Sequence, residues 1–102
     1  MREEEFRNYL IGNEDIQSKV KAVTSRVAKA LKVERELYID LDLIVKNDEQ
    51  MYQLLLDVQE KLNDRQYHNV FQNAVRKYYC FVNGKEFPRM AQYEKIRNSL
   101  KV

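Results

Sequence analysis

RQYHNVFQNAVRKYYCFVN, residues 65–83, is the stretch whose reading decides the fold. Tyr67, Val70, Phe71, Ala74, Val75, Tyr78, Phe81 and Val82 recur at the i, i+3, i+4, i+7 spacing that gathers apolar side chains on one face of an α-helix. The spacing predicts one helix with a core-facing stripe. Between those positions lie Arg65, Gln66, Asn69, Gln72, Asn73, Arg76 and Lys77, and no acid occurs from Arg65 to Lys85. Such a surface of amides and cations suits either a solvated exterior or one presented to phosphates and base edges.

Outward from this stretch, 102 residues make one domain, with a core expected over 3–84 and a last helix near 88–100. Gly occurs twice and Pro once among many Leu, Lys, Glu, Gln and Arg residues, so the expected class is all-α, a bundle of four to five helices. Apolar runs are too short to span a bilayer, and the acidic start MREEEFRNYL lacks the apolar segment of a secretory signal. A cytoplasmic protein with no membrane partner is expected.

Phe6, Tyr9 and Leu10 place a short first helix, ended at Gly12 and Asn13, residues that tolerate the left-handed conformation. Its three opening glutamates, Glu3 to Glu5, suit the positive end of the helix dipole rather than a metal. A second helix is expected from Asp15 or Gln17 to Val33, with Asp15 as N-cap, Ser18 three residues on, and Val20, Val23, Val27, Ala30 and Leu31 as the buried stripe. Opposite them Lys21, Ser25, Lys29 and Lys32, flanked by Lys19 and Arg26, form a basic stripe without acids at i+3 or i+4 in the same helix. Residues 34–46 alternate like a strand, but a lone strand has no partner, so an extended connection dropping Leu37, Leu41 and Ile44 into the core is the reading. Asp40 and Asp42 flank Leu41 with no third ligand or base near them and are read as solvated.

Asn47 with Gln50 resembles a capping box for a third helix running to Leu62, with Met51, Leu54, Leu55, Val58 and Leu62 inward and acids outward. Asn63 and Asp64 are expected to cap the fourth helix, and Gly84 to end it. Pro88 suits the first turn of the last helix, which would pack through Ala91, Tyr93, Ile96 and Leu100 or meet a neighbouring molecule.

Charge is segregated along the chain although the total is only +2. Residues 18–32 carry a net +5 and 65–102 a net +6, against −3 over 1–17 and −6 over 33–64. A distribution of this kind can steer a polyanion towards one side of a nearly neutral molecule. Motifs for catalysis are missing: two glycines make no phosphate-binding loop, and His68 and Cys80 stand twelve residues apart, too far to work together on a straight helix. Cys80 is read as a small, partly buried hydrophobe and His68 as a surface residue. No cofactor, metal or small-molecule substrate is expected, and no enzyme.

The segment order resembles a family. FRNYL, a short turn, the basic helix IQSKVKAVTSRVAKAL, an acidic helix and NVFQNAVRKYYCFVNG are similar to the N-terminal core-binding, SAM-like domain of phage integrases and tyrosine recombinases. Phe6, Tyr9 and Leu10 match that family's opening F-x-x-[YW]-L, and Asn73, Ala74, Val75, Arg76, Tyr78, Tyr79 and Phe81 match its fourth helix. Gln17, Val20 and Thr24 depart from its second-helix pattern, and the catalytic domain of DNA recombination is not here. The resemblance implies a bundle that clasps double-stranded DNA with its second and fourth helices. Combined with the two basic stretches, it nominates Lys19, Lys21, Ser25, Arg26, Lys29, Asn69, Asn73, Arg76 and Lys77 as DNA-binding residues. The rival expectation is a protein-interaction module, a phage or mobile-element accessory factor that self-associates through the C-terminal helix, where Met90 and Tyr93 lie.

Overall fold

In the computed structural model, which describes residues 1–12 and 19–100, the chain runs as α1 (Glu3–Ile11), α2 (Lys19–Leu37), α3 (Leu41–Ile44), α4 (Asp48–Lys61), a 3-10 turn (Asp64–Tyr67), α5 (Val70–Asn83) and α6 (Met90–Leu100). No strand occurs among the described residues, so the all-α expectation holds, with six helices rather than four to five. None of them is long and apolar enough to cross a membrane. Asp15, Gln17 and Ser18, and the side chains of Lys19 and Leu100, lie outside the described residues.

The decisive stretch is not one helix. His68 and Asn69 take left-handed backbones (φ 59° and 61°) between the 3-10 turn and α5, and Asn63 does the same before the turn (φ 50°). For residues with a Cβ this conformation costs about 1 kcal/mol each, least for Asn. Asp64 offsets that cost. Its carboxylate is fully buried and accepts from the Phe71 N–H through Oδ1 and the Gln72 N–H through Oδ2, each at 2.9 Å, while its carbonyl accepts from Asn69 N at 2.8 Å. Asp64 thus caps the fourth long helix as expected, but across an intervening turn. Asn63 makes no side-chain cap. Tyr67, expected in the core, is 53% exposed because the break turns it away from the α5 stripe.

The core has α5 as its spine. Phe71, Ala74, Val75, Tyr78 and Tyr79 are buried and meet Phe6 and Leu10 of α1, Val23, Val27, Ala30 and Val33 of α2, and Met51, Leu54, Leu55 and Val58 of α4. Each large side chain so buried contributes on the order of 2 kcal/mol. Tyr78 packs edge-on against Phe6 (5.0 Å) and Phe81 (5.4 Å), and its hydroxyl donates to Asp42 Oδ1 and accepts from Arg2 N at 2.8 Å. Tyr79 donates to Asp48 Oδ1 at 2.8 Å. α5 then ends, as expected, on left-handed Gly84 (φ 70°).

Three stretches differ from expectation. Gly12 ends α1 in a right-handed conformation (φ −79°). Val20 is 82% exposed, and α2 continues to Leu37, so Val33 becomes a core residue. The segment after it is not extended: Tyr38 breaks the helix with φ 55°, and Leu41–Ile44 forms one helical turn capped by Asp40, whose Oδ1 accepts from Asp42 N at 2.9 Å. Leu41 is buried, with Leu37 and Ile44 packed half-buried against the core, as expected; Asp42 is a hydrogen-bonded structural acceptor rather than a solvated acid. Asn47 Oδ1 caps α4 through Gln50 N at 3.0 Å, one half of the expected box, while the Asn47 N–H donates to the Ile44 carbonyl at 3.1 Å.

Pro88 precedes α6 instead of opening it. The helix docks on α4 through Tyr93, whose ring lies 5.2 Å from Tyr52, and through Tyr52 to Glu94 (2.6 Å), Tyr93 to Glu49 (2.9 Å) and Arg97 to Glu49 (2.8 Å). Ala91 and Ile96 stay on its exposed side.

Asp64→Ala is expected to cost about 3 kcal/mol, because two buried N–H groups lose their acceptor. Urea unfolding measures it, and an unchanged midpoint would contradict the capping role. Burial, with hydrogen bonds to Asp42 and Asp48, pushes Tyr78 and Tyr79 up to about 12. Their folded pKa values exceed the unfolded value near 10, so the stability they contribute is full below pH 10 and lost as pH rises towards 12. Stability measured across that window should fall, and should fall less in Tyr78→Phe.

Candidate nucleic-acid interface

The second and fourth long helices, α2 and α5, lie side by side and run antiparallel. Lys29 and Lys32, late in α2, reach Phe71 at the start of α5, whereas the earlier Arg26 shares a cleft with Cys80 near its end. Two neighbouring turns of each helix therefore present one surface.

At its centre is a cleft of about 240 Å³ lined by Arg26, Asn73, Arg76, Lys77 and Cys80, and closed by Glu86 and Phe87 of the loop before α6. The structure thus brings together Arg26, Asn73, Arg76 and Lys77 of the nominated residues. Lys21 and Ser25 are exposed on α2 outside the cleft, and Lys29 is half-buried with its Nζ 5.8 Å from the Phe71 ring centre. Asn69 is exposed, but it sits at the left-handed entry to α5 and not on the helix face where the periodicity placed it.

Arg76 plays a different part from the one its sequence position suggests. Its Nη1 donates to the carbonyls of Phe87 (3.0 Å) and Pro88 (3.2 Å), and its guanidinium lies 5.7 Å from the Phe87 ring centre. Burial, slightly offset by Cys80 and Glu86, lowers its pKa from the ordinary 12.5. The residue is a clasp that holds the α5–α6 loop, and it forms the floor of the cleft. Beside it Asn73 is exposed and Lys77 half-buried.

Cations on this surface are not tied up in ion pairs among the described residues. Ion pairs join the N-terminus to Glu34, Arg2 to Asp42, Arg7 to Glu3 and Arg97 to Glu49. Among the described residues no ion pair involves Lys21, Arg26, Lys29, Lys32, Arg76 or Lys77. Glu86 is the acid within the cleft wall. The N-terminus of α5, a natural phosphate cradle in other settings, is already occupied by the Asp64 carboxylate.

The sequence placed Tyr67 in the core and did not mark Lys61; with Lys32 and Phe71 they line a second cleft of about 270 Å³ at the other end of the same surface. The signal was faint: a His-Asn pair, of types enriched in left-handed backbones, inside an otherwise continuous helical pattern. Glu86 and Phe87 were invisible as cleft residues because their placement depends on how the loop folds back.

Cys80 is half-buried, and burial, outweighing the nearby Lys77 charge, raises its pKa above 9.0. Its thiol is therefore expected to react with Ellman's reagent at pH 8 more slowly than a free cysteine peptide. Equal rates would show the cleft wall to be open there. No protein-family model, no curated protein and no solved structure matches the chain.

Proposed function

We propose that the chain is a non-catalytic, duplex DNA-binding helical domain of the integrase core-binding kind, working through the shared face of α2 and α5. The observation that carries this reading is the line of cations on that face that make no ion pair among the described residues, with Arg26, Asn73 and Lys77 about one cleft and Lys21 and Lys29 beside it. Cations that lack a carboxylate partner at home are available to phosphates, and the counterions they release on binding drive association. Asn73, exposed between them, offers the donor and acceptor pair that reads adenine edges in the major groove. The resemblance noted from the sequence adds support, since it assigns DNA contact to the same two helices. Arg76 takes the indirect role of fixing the loop that walls the cleft.

Four phosphate contacts would give a salt slope near −3.6, so affinity should drop about 100-fold between 50 and 200 mM salt. Reversing Lys21, Lys29 and Lys77 together to Glu should abolish a gel mobility shift with duplex DNA. Arg76 is left out because its loss would disturb the loop. Unchanged binding by the triple variant would refute the reading. Self-association through α6 is the second reading, motivated by Ile96 at 46% exposure on its outer side. Light scattering that reports a stable oligomer, with no affinity for duplex DNA, would favour it.

A further inference from the structure

We infer that Tyr67 is a stacking platform for an unstacked nucleobase, so that the protein prefers DNA carrying a single-stranded extension to a blunt duplex. The periodicity of residues 65–83 would place Tyr67 one turn before Phe71 on the buried stripe. The fold withdraws it. Left-handed His68 and Asn69 interrupt the helix, and the buried Asp64 carboxylate holds the interruption in place. An aromatic side chain is thereby displayed where simple continuation of the helix would have hidden it. Backbone strain held in place by its surroundings is a recurrent mark of working surfaces.

The surroundings say what the ring can receive. Tyr67 stands edge-on to Phe71 (6.2 Å, 81°), its hydroxyl without a hydrogen-bond partner among the described residues. The adjoining cleft of about 270 Å³ has Lys32 and Lys61 on its walls and Glu36 as its acid. Neither lysine has an ion pair among the described residues. Lys32 Nζ lies 5.5 Å from the Phe71 ring centre and Lys29 Nζ 5.8 Å, so the cations continue along α2 from Arg26 to this corner. An occupant with a flat apolar face and flanking negative charge matches these walls, and a nucleobase with its phosphates has that chemistry. A base inside a duplex has no free face. The corner therefore requires an unpaired strand, leaving the α2–α5 face at the Tyr67 end; this path rests on the proposed duplex binding, whereas the stacking itself does not.

The chain contains no tryptophan, so Tyr67→Trp installs a single reporter at the platform. Three probes are compared: a blunt duplex, the same duplex with a short single-stranded extension, and the single strand alone. Tryptophan emission should be quenched by the extended duplex and by the single strand, and left unchanged by the blunt duplex. Tyr67→Ala should weaken binding of the extended duplex about tenfold and leave the blunt duplex unaffected. Bound extended duplex without quenching, or an equal loss on both duplexes, would overturn the inference. If the single strand quenches while the blunt duplex does not bind at all, the stacking site stands and the duplex reading falls; binding to none of the three defeats both. Tyr67 is exposed, so the variants should retain the parent's melting temperature, and the tryptophan signal decides the matter even if the alanine variant does not.

Discussion

Two hydrogen bonds accepted by one buried carboxylate set the geometry on which the rest of this molecule depends. Asp64 is the buried charged residue among those described, and an unpaired carboxylate in that position would be prohibitively costly. Its oxygens instead complete the open N-terminus of α5 at Phe71 and Gln72. The carboxylate comes from the far side of a 3-10 turn, so it fixes both the start of α5 and its angle to α4. A shorter cap, from Asn69 itself, would have fixed only the first.

With α5 aimed in this way, its tyrosines distribute the bundle's remaining constraints. Tyr78 ties the N-terminal segment and α3 together through Arg2 and Asp42, and Tyr79 holds the first residue of α4 through Asp48. Asn83 closes the end by donating to the carbonyls of Val45 and Tyr79. Adjacent side chains on one helix thus reach three other elements, each burying a ring or stem and satisfying its polar tip. The opposite face, with Asn73 exposed and Lys77 half-buried, is turned away from the core by the same rotation. The candidate interface is therefore a consequence of core packing rather than a separate construction.

Much of this was legible from residue patterns. The stripes of α1, α4 and α5 and the termini at Asn47 and Gly84 follow from helical periodicity and from the local preferences of cap residues. Where the reading failed, a tertiary partner outweighed local pattern. Alternating Leu37, Ile39, Leu41 and Leu43 imitated a strand, since a helix end, a left-handed Tyr38 and a one-turn helix happened to follow one another. The break at His68–Asn69 was hidden because the acceptor that makes it tolerable lies in another turn. Arg76 could be placed on the correct face from sequence, but its carbonyl partners sit on a loop whose course no periodicity encodes.

The near neutrality of the chain conceals how differently its two sides use charge. On the α4–α6 side, carboxylates are held largely by phenols: Asp48 by Tyr79, Glu94 by Tyr52, and Glu49 by Tyr93 as well as by Arg97. A phenol donates a hydrogen bond without cancelling the negative charge it satisfies, so packing on that side is completed while most of its charge survives. The cations of α2 and α5 are spared the task of neutralising those acids. Two faces of opposite sign then persist within a molecule about 46 Å long, and a polyanion approaching it meets a directional field instead of the small net charge. Tyr52 and Tyr79 are in that sense part of its electrostatics: by holding Glu94 and Asp48 without matching cations, they help leave the basic face free.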